Sequence, residues 1–253
     1  MQAIWKGHVT FGLVSIPVSL ITATSSRRVS FKMLHAKDNS PVSYKKFCEK
    51  ENREIPKEEI VKGFEIEEDR FVVLNDEDFD KAEPTLTKTI NIISFARMDE
   101  IDPMWYDRPY YLEPREGGLT PYELLRRTLV ETDYVGICKT VLRNREYLCA
   151  LTPRREIMVL ELLHYSDEVR STDKLEKTTD VKVEGRQLDM AKELVSKMAE
   201  TFDYKRYKDE YNEKLMDIIR KKAAGKKIVA PKRKKVPEVE NLMEALEKSL
   251  KAA

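Results

Sequence analysis

The chain has 253 residues, 41% hydrophobic and 36% charged, with 46 Lys plus Arg against 45 Asp plus Glu and a net charge of +1. That length and apolar content suffice for one substantial core with polar appendages. The charge balance excludes a uniformly cationic protein that holds a polyanion by net attraction, so any nucleic-acid affinity has to come from how the charges are distributed.

Residues 4–20 read as strand. Val9, Phe11 and Leu13 alternate with polar or small residues, and then the apolar parity passes to Val14, Ile16, Val18 and Leu20. A parity switch beside Gly12 predicts a bulge or a sharp bend, which suits a barrel. Further strands are expected at residues 30–34, 70–74, 86–96, 135–142, 147–151 and 157–165. The last is almost continuous in apolar residues and is expected to lie centrally. Many strands with few Gly-rich hairpins point to a mainly β fold, a Greek-key-like barrel, in preference to a parallel α/β sheet.

Two helix starts interrupt the strands. Asn75 with Asp76, Glu77 and Asp78 reads as a helix N-terminus, where carboxylates meet the helix dipole favourably. Asp76, Asp78 and Asp80 also have the spacing that opens a calcium loop, but Lys81 and Thr87 stand where that loop needs glycine and glutamate. Thr120 before Pro121 and Glu123 predicts a capping box with proline at the first helical position. Tyr122, Leu125 and Leu129 then recur on one face, as in a helix that plugs the side of the barrel.

After residue 170 the composition changes. A polar stretch at 171–184 precedes stripes at spacings of three and four, first Leu188, Ala191, Leu194 and Met198, then Leu215, Ile218 and Ile219, broken near Phe202 and Tyr204. The expected organisation is a barrel over 1–170, a helical arm over 171–224, and a basic linker with a terminal amphipathic helix over 225–253. That helix carries Val239, Leu242, Met243, Leu246 and Leu250. Such a stripe either docks in a partner's groove or packs back on its own chain.

The templates of catalysis are missing: no phosphate-cradling Gly-x-x-x-x-Gly-Lys, no Gly-x-Ser-x-Gly, no His-Glu-x-x-His and no Lys-x-Asp-Gly. No cofactor or metal is implied. Cys48, Cys138 and Cys149 lack disulfide or zinc spacing and read as buried thiols. His8, His35 and His164 lie far apart, each beside apolar strand residues, and read as structural. The N-terminus lacks a secretion pattern, and no run of about 18 apolar residues occurs. A soluble, cytoplasmic, nucleoid-associated protein with no membrane partner is expected.

Charge is segregated along the chain. Between residues 49 and 83 acids outnumber bases fourteen to six, a face that repels a polyanion. Residues 220–235 hold nine bases (Arg220, Lys221, Lys222, Lys226, Lys227, Lys232, Arg233, Lys234 and Lys235) and no acid. Smaller basic clusters are Arg27-Arg28 with Lys32, Lys45-Lys46, Arg126-Arg127, Arg143 with Arg145, and Arg154-Arg155. Gathered on one surface, they would contact phosphates, release counterions and bind without reading sequence. The aromatics are not interleaved with the bases, so duplex backbone suits this pattern better than stacked single strands.

Five blocks in this order resemble prokaryotic Ku: residues 3–18 (Ala-Ile-Trp-Lys-Gly-His-Val-Thr-Phe-Gly), Cys48 through Ile60-Val61-Lys62-Gly63-Phe64 and 70–74, Arg108-Pro109-Tyr110-Tyr111-Leu112-Glu113-Pro114, the run from Tyr122 through Val141 to Leu163-His164-Tyr165, and the arm segments 189–195 and 207–215. The resemblance covers nearly the whole chain. It implies a distorted Greek-key barrel with an excursion roughly over 30–70, and a homodimer whose excursions form a ring that duplex DNA ends thread. It also implies recruitment of an ATP-dependent end-joining ligase through the C-terminal region, in non-homologous end joining, with no enzymatic activity of the chain's own. On that basis the DNA-facing residues are Arg27, Arg28, Lys32, Lys45, Lys46 and Lys62, with Lys226, Lys227, Lys232, Arg233, Lys234 and Lys235 in the linker. Val239, Leu242, Met243, Leu246 and Leu250 would meet the ligase. The alternatives are an end-processing metal-dependent nuclease and a general architectural DNA-binding protein.

Overall fold

The structure, a computed structural model, describes residues 2–25, 29–82, 88–143, 145–178, 181–226 and 242–252. It divides into two compact units, one of residues 1–26 and 32–171, the other of 27–31 and 172–253.

The first unit is built on a closed barrel. Around it run β1 (Trp5–Phe11), β2 (Val14–Thr22), β8 (Tyr106–Pro114), β11 (Ile157–Leu163), β10 (Arg145–Arg154), β9 (Tyr134–Leu142) and β7 (Thr89–Arg97). Every pairing is antiparallel except β1 with β7, which closes the barrel in parallel through His8↔Thr89, Val9↔Ile90 and Thr10↔Asn91. The Thr10 hydroxyl adds a bond to Asn91 Oδ1 at 3.1 Å. Closure removes the unpaired edges that an open sheet would present.

The parity switch at Gly12 is not a bulge within one strand. It is the tight turn of a hairpin, with Phe11 opposite Val14 and Gly12 at φ 55°, a left-handed conformation glycine adopts at no steric cost. Leu13, at the tip, is fully exposed. On both strands the residues that alternate inward, Val9, Ile16, Val18 and Leu20, are completely buried. They join Ile90, Leu112, Cys138, Cys149, Leu151, Met158, Leu160 and Leu162 in the barrel interior. Cys138 and Cys149 face one another across β9 and β10; both are free thiols, and burial pushes both up, which leaves them inert.

Two connections make the topology Greek-key-like. Residues 98–105, leaving β7 for β8, cross the outer face of β9, β10 and β11. Met98 and Ile101 pack there on Val135, Ile137, Leu148, Ala150 and Leu163, a second and smaller core. The other connection is α2 (Leu119–Thr132), which runs from β8 to β9 and closes one barrel end with Tyr122, Leu125 and Leu129 buried. The plug was expected, but its cap differs. Gly118 is the N-cap and offers no side chain, so no capping box forms, and the Glu123 carboxylate pairs with Arg126 and Arg127 instead. Pro121 consequently sits at the third helical position, where its missing N–H still costs no intrahelical bond.

Between β2 and β7 the chain leaves the barrel. This excursion holds two small ribbons, β3 (Phe47–Cys48) with β4 (Arg53–Glu54) and β5 (Lys62–Glu67) with β6 (Arg70–Leu74), and then α1 (Asp76–Ala82). At α1 the expected N-terminus forms: Asn75 Oδ1 accepts from Asp78 N–H and Asp78 Oδ2 accepts from Asn75 N–H. Residues 30–34 form no strand. Leu34 makes only an isolated bridge to Pro41, around a turn in which the Asp38 carboxylate accepts from the Ser40 amide and hydroxyl. β8 was not foreseen, because Pro109 and Pro114 disguise a strand.

The second unit carries α3 (Gly185–Met198), α4 (Glu210–Ala223) and α5 (Leu242–Ala252). A short 3-10 turn at Tyr204–Arg206 produces the break expected there.

Candidate nucleic-acid interface

The excursion is nearly all surface. Every residue of β5 is exposed, and of β6 only Leu74 is half-buried. Phe64 and Val72 are direct cross-strand partners, at 64% and 44% exposure, and so stand on one face of the ribbon. Two-stranded ribbons of this size are marginal alone, and apolar side chains left open on both of its faces mark a surface that meets another molecule.

The expected DNA-facing bases fall into three groups. Lys32, Lys45, Lys46 and Lys62 are all exposed in the excursion. Lys45 is paired with Glu54 at 2.5 Å, and Lys62 Nζ lies 4.2 Å from the centre of the Phe79 ring. Part of the acidic run is paired locally: Arg53 pairs with Glu51 and Glu59, Arg70 with Glu67, and Lys81 with Asp78. Lys226 is exposed just beyond α4. Arg27, Arg28, Lys227, Lys232, Arg233, Lys234 and Lys235 lie outside the described residues.

Folding gathers other bases that the sequence had only as separate clusters. Arg126 donates through Nη1 to the Arg155 carbonyl at 2.8 Å, so Arg126-Arg127 and Arg154-Arg155, far apart in sequence, share the α2 end of the barrel. Glu123 lies among them. Hydrogen bonds from Arg126, then Arg127, hold its carboxyl down to about 2. Arg145 pairs with Glu168 and lies 5.2 Å from the Tyr147 ring centre. Arg155 and Arg143, at the β10–β11 and β9–β10 turns, are both left-handed at φ 53° and 52°. No periodicity signals such placement, since each turn residue is positioned by the strands it joins.

Among the expected partner-binding residues, Leu242 is 55% exposed, while Met243, Leu246 and Leu250 are half-buried. They lie on α5, which packs along α3, whose half-buried face is Gln187, Met190, Ala191 and Leu194. Lys197 Nζ donates to the Leu250 carbonyl at 3.2 Å. Val239 lies outside the described residues. Among the described residues no cluster of three or more His, Cys, Asp or Glu is arranged to hold a metal, and no helix is long and apolar enough to cross a membrane.

Known proteins are similar to this chain in sequence along nearly its whole length. A family profile described as the Ku70/Ku80 beta-barrel domain matches residues 10–190, from within β1 through the barrel and into α3. Over its length the chain is 41% identical to a protein of Opitutus terrae named "Non-homologous end joining protein Ku", covering 99% of this chain and 91% of that one. A protein of the same name from Archaeoglobus fulgidus is 40% identical, over 100% and 99% of the two chains. One from Pseudomonas aeruginosa is 42% identical over 88% of this chain and 77% of its own. A match that runs through barrel, excursion and arm alike, at this identity and from bacteria to an archaeon, settles the kinship: the chain belongs to the Ku family.

Proposed function

We propose that the chain binds double-stranded DNA ends without regard to sequence, as a homodimeric ring, in non-homologous end joining, and that it recruits and stimulates an ATP-dependent ligase. The observation that carries this reading is the full-length kinship with proteins named for end joining. Uncovered apolar surface supports the dimer. In the excursion Phe64, Ile66, Phe71 and Val73 are open, and in the arm Phe202, Tyr204, Tyr207 and Tyr211 are each about two-thirds exposed or more. A second copy of the chain is the occupant that would cover both.

In this reading Lys32, Lys46 and Lys62, with Arg27 and Arg28, contact phosphates inside the ring, and the bases of the linker add a second, tethered contact. Each neutralised phosphate releases counterions, so affinity falls with salt and carries no base preference. A ring also explains how a chain with net charge +1 retains DNA, since departure then requires sliding off a terminus. The terminal helix is the ligase-docking element, through Val239, Leu242, Met243, Leu246 and Leu250, of which Met243, Leu246 and Leu250 leave α3 to meet the ligase. The chain acts as a clamp and performs no chemistry of its own.

The test compares linear duplex with a covalently closed circle of the same sequence, with the protein's mass in solution measured alongside. A dimer retained on linear DNA and not on the circle is the expected result. Equal loading on both, or a monomer, refutes the ring.

A further inference from the structure

The two ends of the barrel differ in chemistry. At one, α2 is pinned by the Tyr122 hydroxyl, which donates to the Leu112 carbonyl and accepts from the Met158 amide, each at 2.7 Å. At the opposite end, where β1, β8 and β10 begin and β9 and β11 finish, the described residues include no such plug. There a cavity of about 100 Å³ opens, walled by Trp5, Asp107, Arg108, Tyr110, Arg143 and Tyr147 over apolar side chains of β9 and β11.

Each wall residue is placed by a local feature. Trp5 lies across Gly7, where any Cβ would strike the indole and the Lys88 carbonyl. Arg108 and Tyr110 are two residues apart on β8 and so share the face that further along buries Leu112; the neighbouring Tyr110 phenol raises the Arg108 guanidinium above its ordinary value. Arg143 occupies the β9–β10 turn at φ 52°, a conformation that suits Gly or Asn far better than Arg. The backbone therefore gives no reason for arginine at this position. Nearby Arg145 is neutralised by Glu168, whereas among the described residues neither Arg108 nor Arg143 forms an ion pair.

The polar inventory of the cavity is lopsided. Two guanidinium forks and an indole N–H are donors only, the two phenols donate or accept, and Asp107 is the single obligate acceptor. Such a set calls for an acceptor-rich anion. Two forks and an indole lining one cavity match the three terminal oxygens of a phosphate better than the two of a carboxylate. The cavity, about 100 Å³ and open to solvent, accommodates a phosphate head.

We propose that the open mouth of the barrel is a binding site for the phosphate head of a phosphate monoester, carried either by a small free molecule or by the 5′ terminus of DNA. This site is separate from the backbone contacts proposed above, and its test does not depend on them.

Trp5 and Trp105 are the two tryptophans of the chain, so Trp105→Phe leaves Trp5 as the sole reporter. Titration with inorganic phosphate at constant ionic strength should change its fluorescence saturably. Broadening of the phosphorus-31 line of phosphate by the unmodified chain should give the same affinity. Arg143→Asn should weaken binding about tenfold, the loss of one charge-assisted contact, without lowering the melting temperature, because asparagine tolerates the turn. Arg108→Gln should weaken it comparably. In the second arm, duplexes with 5′-phosphate and 5′-hydroxyl termini are compared. A preference for the phosphorylated end that Arg143→Asn abolishes assigns the site to DNA termini, and equal affinity assigns it to a free phosphate compound. No saturable response to phosphate, a response matched by chloride, or one that survives both substitutions overturns the proposal.

Discussion

Replacing Tyr122 by Phe removes one oxygen and leaves every ring carbon in place. The hydroxyl is buried between β8 and β11, and both of its partners are backbone groups. Without it the Met158 amide loses its acceptor inside the barrel, a cost of about 1–3 kcal/mol, and the Leu112 carbonyl loses one donor, worth about 1 kcal/mol. The ring still fills its site among Leu125, Leu129 and the barrel wall, so no cavity cost is added. The sum is roughly 2–4 kcal/mol, or a melting temperature lowered by roughly 5–15 °C for a chain of this size. Urea unfolding should show a lower midpoint with an unchanged slope, as befits a folded state that has lost bonds but not compactness. Binding to linear duplex in the cold should be retained, because Tyr122 faces the interior. A destabilisation below about 0.5 kcal/mol, the range of an ordinary surface change, would refute the assignment of Tyr122 as the pin that seats α2.

A second expectation concerns acid. The folded chain depresses the Glu123 carboxyl from an ordinary value near 4.5 to about 2. Its contribution to stability is therefore complete above about pH 4.5 and is lost as pH falls towards 2. Glu123→Gln should flatten the dependence of melting temperature on pH in that window, leaving the part due to Asp38, Glu146, Glu168 and Glu210, which are lowered too; parallel curves for the two proteins would reject it. A third concerns the tail. Deleting residues 239–253 should leave affinity for linear duplex intact and weaken ligase stimulation in an end-joining assay, while uncovering Met190, Ala191 and Leu194 of α3 to an apolar dye. Undiminished ligation by the truncated chain would reject α5 as the docking element.

Much of the barrel was legible because strand alternation is a local property. Val9 with Ile16, Val18 and Leu20, and the apolar run from Met158 to Leu162, declare an inward face whichever strand lies beside them. The stripe of Tyr122, Leu125 and Leu129 declared the plug by the same logic. Local signals misled where two of them competed, as at Glu123, which pairs with Arg126 and Arg127 three and four residues on along the same helix instead of capping it. They failed at residues 30–34, where apolar composition met no neighbouring strand, and at β8, where two prolines concealed one.

By itself, then, the sequence determined which faces are apolar, where the helices run, how charge is segregated, and, through its ordered blocks, the family. Only the tertiary structure decided that β1 closes on β7 in parallel, that the 98–105 segment crosses three strands to build a second core, that α5 lies along α3, and that Arg108 and Arg143 meet at one mouth of the barrel. The physical reason is that periodicity records a residue's relation to its own strand or helix, whereas closure and convergence depend on contacts between segments far apart in the chain, which only the packed core selects.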